Sequence, residues 1–283
     1  SRKYDLFIGT DPSLAHVGFI TRKSIITILE DDYEVIKNLA QITFPFTTCI
    51  LTPEGCKTGK YEYKTVHYNG YMKLSYLHPY YFKILESRFK QPFFLIRLSK
   101  LDAHHDFGIH GFSESILRRL VEKLILLGDV YISSEGILAK AFQKYELKIK
   151  PEEIHQVLAN AEMLISDSQS MTMEAAMLGV PSIRFSDFSG RISVLEELEH
   201  TYGLTYGIPA NMPENLFDKL ETLLSMPDRK AVFNLRRHKM LSEKIDVNSF
   251  LIWFISNFPK SAATLRENPA FQDQFKLILN SNT

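Results

Sequence analysis

The 283-residue chain has few of the features that mark several large protein classes. Its two cysteines, Cys49 and Cys56, are too few for a disulfide framework and lack metal-ligand partners at a recognised spacing, which favours a reducing compartment. Lys and Arg total 33 and Asp and Glu total 33, and a net charge of zero argues against a protein that coats nucleic acid. No apolar run approaches the roughly 18 residues of a membrane span, and no signal peptide is visible. We therefore expect a cytoplasmic protein.

What the chain does have is an alternation of short apolar runs and amphipathic segments. The runs are apolar throughout rather than at every second position, which is typical of strands buried on both faces of a parallel sheet. Strands that alternate with helices indicate a doubly wound α/β fold. The predicted strands cover residues 6–9, 25–29, 48–51, 93–96, 130–133, 163–166 and 182–185.

The strands fall into two groups, which predicts two α/β lobes. The N-terminal lobe takes residues 1–70 and the C-terminal lobe residues 71–245, and 246–283 form terminal helices. The stretch 59–79 is rich in Tyr and His without clear periodicity, and we interpret it as the connection between lobes. Because the chain opens on Ser1 and enters a strand at once, we expect the N-terminal lobe to be incomplete in this sequence.

The most informative segment is 164–183, where an apolar strand ends in small and polar residues and a helix then opens and closes at Gly179. Ligands of open parallel sheets bind beyond the carboxyl ends of the strands. Here that position offers the hydroxyls of Ser168, Ser170 and Thr172 together with the free N–H groups of a helix N-terminus, which suit a phosphate.

Glu174 lies one turn inside the same helix, where its carboxylate is placed to accept hydrogen bonds from the hydroxyls of a sugar attached to that phosphate. The alternative is that Asp167 or Ser168 only caps the helix.

The string Asp167-Ser168-Gln169-Ser170, three residues and then Glu174-Ala175 resembles the nucleotide-binding element of GT-B glycosyltransferases and of non-hydrolysing UDP-N-acetylglucosamine 2-epimerases. The chain resembles still more closely a prokaryotic family of uncharacterised glycosyltransferase-like proteins, in most of residues 4–258. The matching motifs are Arg97, Ala103-His104-His105-Asp106, Gly111-Phe112-Ser113, Ser133-Ser134-Glu135 and Thr172 through Pro181.

This resemblance implies a GT-B-like fold with two Rossmann-like lobes. The N-terminal lobe would lie on the acceptor side, the C-terminal lobe would bind a UDP-type nucleotide sugar, and the terminal helices would pack back on the N-terminal lobe. The implied binding residues are Arg97, Ser168, Gln169, Ser170, Thr172, Glu174, His105 and, through main-chain groups at the nucleobase, Ile149. Gln169-Ser170 replaces a glycine pair usual in the family, so side chains stand where backbone could approach a pyrophosphate closely.

Several of these residues have a second interpretation. Arg97 can clamp a diphosphate or pair with Asp102 or Asp106. The cluster of His104, His105, Asp106 and His110 can orient a sugar or phosphate, bind zinc or form an ordinary polar loop; its irregular spacing argues against the metal, so no metal site is predicted.

For catalysis we nominate Asp31 as the base, with Asp11 as a second candidate, because each follows a strand of the N-terminal lobe. For both, capping of a helix is the rival explanation. The basic run 229–239 is most simply a solvated helix face, with contact to the inner face of a membrane as the alternative.

The resulting hypothesis is a metal-independent glycosyltransferase without a cofactor. It would use a nucleotide sugar and a glycan or lipid-linked acceptor in surface polysaccharide or glycoconjugate synthesis, and no nucleic acid. A UDP-sugar 2-epimerase and a non-catalytic nucleotide-sugar-binding or scaffold protein of the same fold are the alternatives. The sugar, the acceptor and the oligomeric state stay open at this point.

Overall fold

The structure, a computed structural model, describes residues 4–99 and 112–277. The chain divides into two compact units. The first runs to Ser75 and also includes Arg191–Val194 and the chain from Leu241 onward; the second comprises Tyr76–Gly190 and Leu195–Met240. No helix within the described ranges is both long enough and apolar enough to cross a membrane.

The first unit contains a parallel four-stranded sheet in which the strands lie in chain order. Its strands are β1 (Leu6–Ile8), β2 (Ser24–Ile28), β3 (Cys49–Pro53) and β4 (Thr65–Tyr68), with the helices α1 (Pro12–Ile20) and α2 (Lys37–Thr43). The short helix α3 (Leu74–Leu77) spans the boundary, so that Tyr76 and Leu77 belong to the second unit. The inner strands are almost entirely buried, as their unbroken apolarity predicts.

The interpretation of 59–79 as the connection between lobes holds only for its last residues, because the boundary between the two units falls between Ser75 and Tyr76. This stretch forms a 3-10 helix at Gly59–Lys64, the edge strand β4 and the short helix α3. In β4, Val66 and Tyr68 are buried and His67 between them is half-buried, so the strand has the alternation of a sheet edge. This strand was not predicted because His67 and Tyr68 occupy positions where the other strands have aliphatic residues.

The C-terminal helices α10 (Val247–Ser256) and α11 (Lys260–Glu267) belong to the first unit. Asp246 caps α10 by accepting hydrogen bonds from the amides of Asn248 and Ser249. Phe250 of α10 stacks on Tyr68 of β4, with ring centroids 5.5 Å apart. This aromatic contact fixes the helix on the sheet edge.

The second unit contains a parallel sheet of five described strands in the order β6-β5-β7-β8-β9. The strands are β5 (Phe93–Leu98), β6 (Asp129–Ser134), β7 (Met163–Ser166), β8 (Ser182–Phe185) and β9 (Thr205–Ile208). Because β6 lies on one side of β5 and β7 on the other, the direction of winding reverses at β5. Such a switch point opens a crevice at the carboxyl ends of the strands, which is where ligands of open α/β sheets bind.

The helices after β5 are α4 (Glu114–Leu124), α5 (Ile154–Asn160), α6 (Gln169–Leu178), α7 (Ser193–His200), α8 (Pro213–Leu224) and α9 (Arg229–Glu243). The helix α4 ends at Leu124, four positions before Gly128. A Cβ at Gly128 would lie 2.4 Å from the carbonyl oxygen of Pro92, so this glycine is required by a close backbone approach. Gly179, in contrast, has φ of 73° and ends α6 as expected.

The basic run on α9 is not simply a solvated face. Arg229 pairs with Glu162 at 3.0 Å, and Arg236 donates to the carbonyl oxygen of Gly203 at 2.8 Å. Arg237 is half-buried and donates to the carbonyl oxygen of Met177 at 2.6 Å. These arginines therefore attach α9 to the second unit, and the exposed basic residues of the run are Lys230, His238 and Lys239.

Candidate functional site

The candidate site lies at the carboxyl ends of β5 and β7, the two strands at the switch point of the second unit. In this register Arg97 of β5 pairs with Ser166 of β7. The structure thus brings Arg97 next to the strand end that leads into Ser168 and α6, although the two segments are about 70 residues apart in the chain.

The connection from β7 to α6 is built by side chains that bind backbone. The amide of Ser168 donates to the Oγ of Ser166 at 2.8 Å, and the Oγ of Ser168 caps α6 by accepting from the amide of Met171. Thr172 is fully buried and donates to the carbonyl oxygen of Ser168 at 2.7 Å. Of the predicted phosphate ligands, Thr172 therefore has a structural role in this geometry.

Gln169 and Ser170 form the open part of the helix N-terminus. Gln169 is half-buried and Ser170 is exposed. The amides of a first helical turn have no partner within the helix, and the positive end of the helix dipole lies beside them. This turn can bind an anion with its backbone while the Ser170 hydroxyl contributes a further donor.

Asp167 connects the two strands at the switch point. Its Oδ1 accepts a hydrogen bond from the amide of Ser99 at 2.7 Å, and its own amide donates to the carbonyl oxygen of Arg97 at 3.4 Å. Burial raises the pKa of Asp167 to about 6, although the Ser99 donors and the charge of Arg97 act in the opposite direction. The carboxyl group therefore takes up a proton in the folded protein at a pH at which it is ionised in the unfolded chain.

We expect Asp167→Asn to flatten the pH dependence of stability. Because the folded-state pKa is raised, the wild-type protein should lose stability as the pH rises from about 4 to about 6. The loss is on the order of 3 kcal/mol, from about two pKa units at 1.36 kcal/mol each. Asparagine keeps the oxygen that binds Ser99 and does not ionise.

The measurement is chemical unfolding at pH 4, 5, 6 and 7, with the exposed Asp218→Asn as control. Parallel pH curves for wild type and Asp167→Asn would contradict the assignment.

Arg97 lies near the carboxyl end of β5, an inner strand of the sheet, where two neighbouring side chains hold its guanidinium group. One guanidinium nitrogen donates to the Oγ of Ser133 at 2.8 Å, and the group pairs with the carboxylate of Glu135. Its Nε is buried and has no hydrogen-bond partner among the described residues. Asp102 and Asp106, the partners proposed in the alternative interpretation, lie outside the described residues.

Glu174 lies in the second turn of α6 and is 8% exposed. Its Oε1 accepts a hydrogen bond from the Tyr76 hydroxyl at 2.9 Å, and its Oε2 lies 3.5 Å from the Nε2 of His155. The sequence analysis did not identify Tyr76 or His155. They lie 98 and 19 positions away from Glu174 and belong to no motif, so only the folded chain reveals the cluster.

Ile149 lies in an extended segment beside β6. The amide of Leu147 donates to the carbonyl oxygen of Ile132 at 2.8 Å, and the half-buried Ile149 lines a cavity of about 660 Å³. The side chain of Glu153 accepts the Lys150 amide at 2.8 Å and thereby fixes the end of this segment.

The acids nominated as bases belong to the first unit, and their surroundings differ. Asp11 is exposed and caps α1 by accepting the Ser13 amide at 2.8 Å. Hydrogen bonds from the side chain and the amide of Ser13 lower the pKa of Asp11. Asp31 is half-buried. It lies between two buried acids, Glu30 and Asp32, that the sequence analysis did not nominate.

The two buried acids have backbone partners. Asp32 accepts the amides of Lys57 and Ser193 at 2.9 and 2.7 Å. Glu30 accepts the Met72 amide at 2.5 Å and pairs with Lys73 at 3.5 Å, and burial raises the pKa of Glu30. These contacts organise the loops around both buried acids.

His105 and the rest of its histidine cluster lie outside the described residues. Within the described part of the chain, no group of three His, Cys, Asp or Glu side chains is placed to hold a metal ion.

No protein-family model and no curated protein matches the chain. Solved structures with a similar fold include a putative UDP-N-acetylglucosamine 2-epimerase from Listeria monocytogenes, with 12% identity and a TM-score of 0.54. That match covers 81% of this chain and 66% of the Listeria chain.

Two further structures were determined with UDP. S. aureus MnaA with UDP is 14% identical at a TM-score of 0.55, over 82% of this chain and 69% of that one. Anabaena Alr3699/HepE with UDP and glucose is 14% identical at a TM-score of 0.57, over 90% and 78%. The chain therefore has a GT-B-like α/β fold with two Rossmann-like units, as its sequence predicts.

Proposed function

We propose that the protein binds a UDP-type nucleotide sugar at the carboxyl edge of the second sheet and transfers its sugar. The observation that carries this proposal is the position of Glu174 on the helix whose N-terminus lies at the switch point. Glu174 lies four positions after Ser170, a rise of about 6 Å along the helix. This spacing suits a diphosphate at the first turn and ribose hydroxyls at Glu174.

The diphosphate would be bound by the first-turn amides and the hydroxyls of Ser168 and Ser170, with Arg97 supplying a positive charge beside them. Such fixed donors stabilise the charge that develops on the leaving diphosphate. Gln169 would line the same turn. Arg97 already has Ser133 and Glu135 as partners, which hold its guanidinium in place for an anion.

The nucleobase is assigned to the main chain around Ile149, next to the cavity of about 660 Å³. For the base that deprotonates the acceptor hydroxyl we favour Asp31 over Asp11, since Asp31 is half-buried in the loop after β2, whereas Asp11 is exposed and caps α1. His105 is retained as a proposed contact to sugar or phosphate. No metal or cofactor is required in this scheme, because the charges of the diphosphate are met by protein groups.

We place this activity in surface polysaccharide or glycoconjugate synthesis, with a glycan or a lipid-linked acceptor. A cytoplasmic protein with access to the inner membrane face would meet such acceptors, and the exposed Lys230 and Lys239 of α9 offer positive charge for that contact.

A 2-epimerase of UDP-sugars is the second candidate, favoured by the similarity to the Listeria structure. The third candidate, a binder without catalysis, is favoured by Gln169 and Ser170 at the first turn, where the resemblance implies a glycine pair.

We expect UDP and one or more UDP-sugars to raise the melting temperature, while GDP, CMP and TDP sugars have smaller effects. A ligand at 100 times its Kd stabilises the folded state by about 2.7 kcal/mol. Product analysis with the stabilising sugar then distinguishes transfer, epimerisation and binding alone. Failure of every uridine nucleotide to stabilise the chain would contradict the proposal.

A further inference from the structure

The carboxylate of Glu174 is held from two sides by elements that are distant in the chain. The Tyr76 hydroxyl of α3 donates to Oε1 at 2.9 Å, and the Nε2 of His155 in α5 lies 3.5 Å from Oε2. All three residues belong to the second unit. Each oxygen of the carboxylate thus has its own neighbour.

The rings of these neighbours also contact each other. The centroids of Tyr76 and His155 are 5.4 Å apart, and Phe82 approaches His155 edge-on at 6.3 Å. A side chain that is held by ring packing cannot move freely. The ring contact therefore restricts where the Tyr76 hydroxyl and the Nε2 of His155 can lie relative to Glu174, although Tyr76 is 39% exposed.

We propose that Tyr76 and His155 are positioning residues that hold the Glu174 carboxylate ready for the ribose hydroxyls of the nucleotide; this inference rests on the proposed function. An ionised carboxylate has about four acceptor positions. Tyr76 and His155 together use at most two of them, so both hydroxyls of a ribose can still be accepted. A carboxylate that is already oriented loses less conformational freedom when the ligand binds.

A competing arrangement predicts the opposite change in UDP affinity when the Tyr76 hydroxyl is removed. If the Tyr76 hydroxyl occupied the position that a ribose hydroxyl needs, nucleotide binding would have to displace it. Removal of that hydroxyl would then strengthen binding. The sign of one substitution therefore separates a positioning residue from a competitor.

The test is calorimetric titration of the full chain with UDP and with its 2′,3′-dideoxy analogue, which lacks the ribose diol. We expect Tyr76→Phe to raise the Kd for UDP by about 3- to 10-fold, less than the loss of the Glu174 charge itself, because the hydroxyl acts on the ligand only through the carboxylate that it orients. The Kd for the dideoxy analogue should be unchanged. His155→Phe keeps a ring against Tyr76 and should act in the same direction.

The matched control is Tyr80→Phe, which removes a hydroxyl from a ring that is 74% exposed and four positions away. It should leave both Kd values as in wild type. In a Glu174→Gln background, Tyr76→Phe should have a clearly smaller effect, because the oriented group has lost its charge.

Three results would overturn the inference. These are tighter UDP binding by Tyr76→Phe, unchanged UDP binding by that variant, or equal weakening for UDP and its dideoxy analogue, which a merely structural role would produce. If wild type binds no UDP, the proposed function itself fails. If wild type binds UDP but the variants do not follow the pattern, only the positioning role fails.

Discussion

Replacing Glu174 by glutamine is expected to raise the Kd for UDP by about 10- to 150-fold. A hydrogen bond to a charged group contributes about 1.5–3 kcal/mol, and every 1.4 kcal/mol is a factor of ten in affinity. Glutamine has the same size as glutamate. Its one carbonyl oxygen can still accept a hydrogen bond from Tyr76, but this neutral oxygen is also the only acceptor left for the ribose diol. Titration calorimetry of wild type and variant with UDP measures this difference.

The structure changes the expectation for the stability of this variant. From the sequence, a residue near a helix start that faces a cleft supports little packing, and Glu174→Gln should leave the melting temperature nearly unchanged. Glu174 is in fact 8% exposed and lies between Tyr76 and His155. We now expect a loss on the order of 1 kcal/mol in the free energy of unfolding, from the weakened contacts.

The control for Glu174→Gln is Glu122→Gln, the same chemical change on the exposed face of α4. It should alter neither UDP affinity nor stability by a measurable amount. A Glu174 that only complements the helix dipole would affect stability by roughly 0.3–1 kcal/mol and affinity not at all. Equal Kd values for wild type and Glu174→Gln would therefore remove this residue from the site.

The strands could be predicted from the sequence because a doubly covered parallel sheet demands unbroken apolar segments. All seven predicted strands exist, with ends shifted by two residues or fewer. The two strands that were not predicted, β4 and β9, are not unbroken apolar segments. One is an edge strand with His67 half-buried, and the other carries Gly207 at its centre.

The position of the candidate site could also be predicted, since it depends on one local pattern. A strand, a polar turn and a helix closed by Gly179 follow directly from 164–183. The partners of the hydroxyls could not be predicted, because the Thr172 hydroxyl can donate either to a ligand or to the carbonyl oxygen of Ser168. In the structure Thr172 is fully buried and its hydroxyl donates to that carbonyl oxygen.

Contacts between distant segments could not be predicted from the sequence. Tyr76 and His155 meet Glu174 only because α3, α5 and α6 pack together, and no periodicity encodes that meeting. The contacts of the α9 arginines could not be predicted either. Arg236 and Arg237 stand in a charged run typical of a solvated face, yet both donate to backbone carbonyl oxygens of other segments.

The central claim is that a nucleotide diphosphate binds at the first turn of α6. It is tested most directly by titrating UDP against Ser170→Asp, with the neutral Ser170→Asn as the matched control. Ser170 is exposed in that turn, so aspartate fits without repacking, and its charge stabilises a helix N-terminus by about 0.3–1 kcal/mol. The same charge repels a diphosphate a few ångströms away, at a cost on the order of 2–3 kcal/mol.

The account predicts that Ser170→Asp melts at or above the wild-type temperature and binds UDP about 10-fold or more weakly. Ser170→Asn should stay much closer to wild type in affinity. UDP binding by Ser170→Asp that is as tight as in wild type would contradict the account, because the diphosphate could then not lie at the N-terminus of α6.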